Sequence, residues 1–279
     1  MVTTERLVEV DGGVLSCTVA GAGEPLVLVH GGLTDHRSWL LVAPGLSESF
    51  LVVAYDRRGH SRSRQAGDGP RSRHEDDLAA VIEAFDLGPA HVAGSSYGAS
   101  IALGLASQSP ELVRSLVAHE PPLFGIDGST MFEPVARDIE ARLFGVAQQI
   151  RAGDLLGGVA RFIDEVTLGP GMWERLPDEV RQTMVDNAPT FLETIDDPRW
   201  ADLDVERLSR RSVPLLLTDG ERSPAALRMV VSELAGLLSV AGGVERRTFS
   251  GAGHVPQLTH PEQYVETVRA FLRGDRRRT

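Results

Sequence analysis

The chain has a single cysteine, Cys17, and no lysine: all 28 basic residues are arginine. One cysteine excludes an intramolecular disulfide and leaves the redox compartment open. The missing lysine reads as codon bias in a GC-rich genome rather than as function. No apolar run approaches the roughly 20 residues of a membrane span, and no N-terminal charged stretch leads into an apolar core. A cytoplasmic location away from membrane is therefore the expectation. Positive charge is also in deficit, since 39 acidic residues give a net charge of −11. Phosphate would be repelled, which argues against nucleic acid as a partner. The basic tail Arg273–Arg278 is too short to reverse this and reads as a solvated end. The remaining composition, 42% apolar and 24% charged over 279 residues, is that of a globular chain with ample length for a full core.

What is present is an alternation of strand and helix patterns. Arg6–Val10 and Val14–Ala20 flank Asp11-Gly12-Gly13 and read as a hairpin. Leu26–Val29 and Phe50–Tyr55 are unbroken apolar runs, as in strands buried on both faces. Glu75–Phe85 puts Leu78, Val81, Ile82 and Phe85 on one helical face. A strand at Ala90–Ala93, a helix from Ala99 and a strand at Val113–Ala118 follow. The order predicts an α/β fold, a mostly parallel sheet with helices on both faces. The pattern changes after Glu120-Pro121-Pro122. From 123 to 211 only helical periodicities appear, after which Val213–Thr218, a helix over 225–238, a strand at Val244–Phe249 and a helix from Pro261 resume the alternation. The predicted organisation is a core of 1–122 and 212–279 with a helical cap inserted at 123–211.

Chemistry gathers at the carboxyl ends of strands in such sheets, where His30, Asp56, Ser96 and Glu120 fall. Gly94-Ser95-Ser96-Tyr97-Gly98 joins a strand to a helix. Such a turn strains its central residue, and its glycines let strand and helix pass closely. Ser96 is thereby expected at the tip, beside the positive end of the helix. A serine hydroxyl needs a base, and His254 in Gly251-Ala252-Gly253-His254-Val255-Pro256 is the candidate. Of the other histidines, His36, His74, His91 and His260 read as surface or helix-end residues, and His60 and His119 as structural. No pair has metal-ligand spacing with supporting groups, so no metal is expected.

Four motifs taken together, His30-Gly31-Gly32, Asp56-x-Arg58-Gly59-His60, Gly94-x-Ser96-x-Gly98 and Gly251-x-Gly253-His254, make the chain similar over nearly its whole length to the α/β-hydrolase fold family. The resemblance implies about eight strands and a cap after the strand ending near Ala118. It also implies an oxyanion hole from the backbone N–H groups of Gly32 and Tyr97, with His30 ordering the loop. The third triad member departs from the common pattern, because Ser223 stands where relatives often carry an aspartate. Glu120 is the favoured substitute, stiffened by Pro121 and Pro122, and Asp219 the alternative.

A serine in place of the aspartate nucleophile of dehalogenases and epoxide hydrolases points to acyl chemistry. The expected activity is cleavage of an ester or lactone of an apolar small molecule, needing no cofactor. Leu33, Phe124, Phe132, Trp173, Phe191 and Val255 are the candidate substrate-binding residues, and Trp200 belongs to the same aromatic set. Other readings stay open: a lyase, cyclase or cofactor-free oxygenase on the same fold, a carbon–carbon bond hydrolase, or a receptor-like binder. A small molecule is the expected partner, and the sequence permits a homodimer without demanding one.

Overall fold

The computed structural model describes residues 3–86, 88–126, 133–210, 213–239 and 243–274. Eight strands form one sheet: β1 (Thr3–Val10), β2 (Gly13–Ala20), β3 (Glu24–Val29), β4 (Phe50–Tyr55), β5 (Ala90–Ser95), β6 (Val113–His119), β7 (Leu215–Gly220) and β8 (Val244–Phe249). Their order is β1-β2-β4-β3-β5-β6-β7-β8. β1 pairs antiparallel with β2, and β2 with β4; every other pairing is parallel.

The apolar runs are continuous because both faces are covered. Along β3 the pleat sends Leu26 and Leu28 to one face and Val27 and Val29 to the other, and the two pairs fall in separate core clusters. Leu26 and Leu28 pack with α1 (Ala43–Ser47) and α11 (Pro261–Leu272), through Leu46, Tyr264 and Val268. Val27 and Val29 pack with α2 (Arg71–Ala84), α3 (Tyr97–Gln108) and α9 (Ala225–Ser239), through Leu78, Ile101 and Val230.

Between β6 and β7 the described residues are helical: α4 (Glu133–Arg151), α5 (Leu155–Phe162) running on into a wider turn at Ile163–Thr167, α6 (Asp178–Asp186), α7 (Pro189–Asp196) and α8 (Val205–Ser209). Asp154 caps α5, accepting from Gly157 N–H at 2.9 Å; such a cap contributes about 1 kcal/mol. A further short helix, α10 (Pro256–Thr259), follows the His254 loop. No helix among the described residues is long and apolar enough to cross a membrane.

Three details differ from the sequence expectation. β7 runs to Gly220 because its ladder with β8 continues through Asp219↔Thr248 and Gly220↔Phe249, so Asp219 lies inside a strand and not on a loop. His74 and His91 are buried rather than superficial. His91 reaches Ser115 Oγ at 2.7 Å, and His74 lies 3.2 Å from Asp68.

Candidate active site

Ser96 lies between the end of β5 and the start of α3, with φ +53°. Non-glycine residues avoid this region, so the turn must be held by its surroundings. The flanking glycines are steric necessities. A methyl on Gly98 would overlap the carbonyl oxygens of Val29 and His30, and one on Gly94 would overlap Gly98 and Ala99 of the next turn. Ser96 N–H donates to His119 O at 2.8 Å, which anchors the turn to β6. Ser96 itself is half-buried and lines a cavity of about 340 Å³ that His254 also lines. Its Oγ makes no hydrogen bond to a described residue.

The loop after β3 is fixed by one carbonyl. Gly31 O accepts from His30 Nδ1 at 2.9 Å, Arg57 Nη2 at 3.1 Å and Thr34 Oγ1 at 3.3 Å. His30 Nε2 in turn accepts from Arg57 N–H at 2.9 Å, which sets its tautomer. Burial and the Arg57 charge push the His30 ring down to about 3, so it stays neutral. In a trans peptide the N–H points opposite the carbonyl. Pinning Gly31 O therefore turns Gly32 N–H away from the core. Gly32 and Tyr97 both line the cavity, and neither N–H donates to a described residue.

Glu120 lies just past β6 with φ +43° and is fully buried. One carboxylate oxygen accepts from Gly220 N–H at 2.7 Å, and the other from His254 Nδ1 at 2.5 Å. Burial alone would raise its pKa; the neighbouring His119 and the His254 bond outweigh burial and hold it down at about 2. An ionised carboxylate only accepts, so His254 Nδ1 carries a proton, and in the neutral ring the lone pair is on Nε2. Ser223 lies beside Glu120 and favours its charged form. Asp219 is also fully buried, but its carboxylate meets Arg246 Nη2 at 2.6 Å. Of the two carboxylates weighed from the sequence, only Glu120 is brought to His254.

His119, read from the sequence as structural, braces this arrangement. Its Nε2 donates to His254 O at 3.1 Å, so its Nδ1 accepts from Thr218 Oγ1 at 3.0 Å. Burial lowers its pKa to about 4. With both ring nitrogens engaged, His119 has no lone pair to offer a metal in the cluster it forms with Glu120 and His254. The second compact cluster, Asp35, His36 and Asp56, is already paired with Arg37 and Arg62.

Leu33, Phe124, Phe191 and Val255 line the cavity, as does Trp200. Trp173 does not. It is buried within the helical segment, with its backbone N–H donating to Asp164 Oδ1 at 2.8 Å and Arg181 5.6 Å over its ring. Its size and apolarity looked like pocket lining, but the same properties serve internal packing. Phe132 lies outside the described residues.

Over residues 24–261 the chain matches the model of the alpha/beta hydrolase fold family, and it belongs to that family. It is 40% identical over 126 residues to an uncharacterized hydrolase, YraK, of Bacillus subtilis, spanning 44% of this chain and 46% of that protein's length. It is 30% identical over 246 residues, 82% of this chain and 84% of the relative, to a bifunctional esterase/perhydrolase of Acinetobacter calcoaceticus. The enol-lactonase of Burkholderia xenovorans superposes with a TM-score of 0.80 at 20% identity, covering 96% of this chain and 99% of its own, which speaks to the fold alone.

Proposed function

We propose that the protein is a serine hydrolase that cleaves a carboxylic ester or lactone of an apolar small molecule through an acyl-enzyme on Ser96. The observation that carries the reading is the Glu120–His254 bond at 2.5 Å, made behind the cavity that His254 lines together with the strained Ser96. His254 Nε2 takes the Ser96 proton as Oγ attacks the carbonyl, and Glu120 stabilises the imidazolium that forms. The developing oxyanion accepts from Gly32 and Tyr97 N–H, donors preorganised before substrate arrives; losing one typically costs about 10²–10³ in rate. His254 then returns the proton to the leaving alkoxide, and water repeats the cycle on the ester.

The helices between β6 and β7 act as the cap. They bring Ile139, Leu143, Phe162, Met184 and Phe191 to the cavity, a mostly apolar lining that favours an apolar acyl or alkyl group. Kinship with an esterase/perhydrolase is consistent with this choice. Incubation with a fluorophosphonate is expected to add one phosphonyl group to Ser96, seen by peptide mass spectrometry, and to stop ester turnover. Ser96→Ala should lose both labelling and turnover; persistent turnover in that variant would discard the mechanism.

A further inference from the structure

Among the described residues, five that are not glycine have positive φ: Leu33 (+60°), Ser61 (+42°), Asp86 (+53°), Ser96 (+53°) and Glu120 (+43°). Each costs about 1–3 kcal/mol and persists only where the surroundings impose it. Ser96 and Glu120 are held by the sheet ends, as described above. Leu33 and Ser61, on the loops after β3 and β4, are held by one side chain from elsewhere in the chain.

That side chain is Asn187, which joins α6 to α7 and is fully buried. Its Oδ1 accepts from Ser61 N–H at 3.0 Å. Its Nδ2 donates to Thr34 O at 3.2 Å, Leu33 O at 3.3 Å and Ser61 Oγ at 3.3 Å. The Asn187 backbone is itself fixed, with N–H on Thr183 O at 3.0 Å and O accepting from Thr190 Oγ1 at 2.8 Å. The loop that carries Gly32 is thus gripped from two sides. His30 and Arg57 hold Gly31 O from the sheet, and Asn187 holds Leu33 O and Thr34 O from the helical segment.

We propose that Asn187 is a positioning residue for the oxyanion-binding loop, so that the loop is correctly shaped only while α6 and α7 are seated on it. The proposal rests on the Ser96 acyl-enzyme reading. The amide reaches no reacting atom; it acts through the Leu33 and Thr34 carbonyls on the Gly32 N–H. Its two donors and one acceptor match the two kinds of backbone group on the loops. An amide buried in this way specifies one loop geometry where an apolar side chain of equal size would leave the loop's polar groups unpaired.

The test compares Asn187→Ala, Asn187→Asp and Arg64→Ala with the parent. Asn187→Asp keeps the side-chain volume and the acceptor but loses both donors, so it carries the test if the alanine variant fails to fold. Arg64 also links to the segment, through Asp186 O at 3.1 Å, but from an exposed site away from the cavity. Both Asn187 variants are expected to lower kcat about 10–100-fold with KM within about threefold, somewhat less than the loss of a whole oxyanion donor. Arg64→Ala should stay within about twofold. Binding of a trifluoromethyl ketone, which forms a tetrahedral adduct on serine, should weaken in step with kcat/KM. Binding of the carboxylic acid product should change little. If the folded Asn187 variants keep kcat, or if ketone and product weaken equally, the positioning role is wrong. Ser96→Ala, run alongside, separates the premises: turnover surviving in it overturns the acyl-enzyme reading, whereas a dead Ser96→Ala with fully active Asn187 variants removes only the present inference.

Discussion

Two carboxylates stand at the ends of neighbouring parallel strands, and they have opposite fates. Asp219 is the penultimate residue of β7, where the pleat decides its direction. Thr218 points to the face that holds His119, so Asp219 points to the other, where Arg246 of β8 meets it. Glu120 lies one residue beyond β6; its N–H still donates to Thr218 O at 3.1 Å, but its φ of +43° leaves the pleat and turns the side chain to His254. The strand end is a boundary between side chains aimed by the sheet and side chains aimed by a loop. A group that must meet a partner from a distant segment sits on the far side of it.

The comparison can be broken most directly by neutralising each carboxylate in turn. Glu120→Gln keeps the shape but removes the charge that stabilises the imidazolium and fixes its tautomer. On the proposed mechanism kcat falls about 10³–10⁴-fold. Asp219→Asn should leave kcat within about threefold. Steady-state kinetics on a chromogenic ester measures both, and the reverse ranking would move the triad acid to β7.

A smaller effect, on stability rather than rate, sharpens the other half. Arg246 is about a third exposed, whereas Asp219 is wholly buried. Removing the guanidinium in Arg246→Met leaves a buried carboxylate without its partner. The cost is about 1–3 kcal/mol, below that of breaking a fully buried pair because water reaches the arginine side. Denaturant unfolding should show that loss while kcat per folded molecule is unchanged. A matching fall in kcat would connect Asp219 to the site after all.

The contrast also explains what was legible in the chain. β4 and β8 appear with the bounds their apolar and alternating patterns suggest, since side-chain period is a local property. β7 was misplaced by two residues because Asp219-Gly220 reads as a turn, and only pairing with β8 carries the strand through it. The short α8 was not anticipated, as five residues give too few turns for a periodicity. Ser96 and His254 were visible because glycine spacing marks turns that the backbone requires. Arg57 and Asn187 were not, because each acts on a backbone carbonyl contributed by a distant segment, and for His119 only a structural role was legible, not its partner. Such a partner leaves no pattern around the residue itself.

The last and smallest effect concerns acid. Glu120 ionises at about 2 in the folded chain, against an ordinary value of 4.5. The folded state therefore binds its proton less readily than the unfolded chain, so this group contributes stability above pH 4.5. That contribution is lost as pH falls from 4.5 through 2. At pH 3 the unfolded carboxyl is mostly protonated and the native one mostly not, which amounts to about 2 kcal/mol of lost stability relative to neutral pH. Glu120→Gln has no proton to gain there. Although less stable at pH 7, it should lose less on going from pH 7 to pH 3, and chemical denaturation at the two pH values reads the difference directly. Equal acid sensitivity in the two proteins would mean that the Glu120 carboxylate is not favoured by its His119 and His254 neighbours, and the distinction between the two strand ends would shrink to one of direction alone.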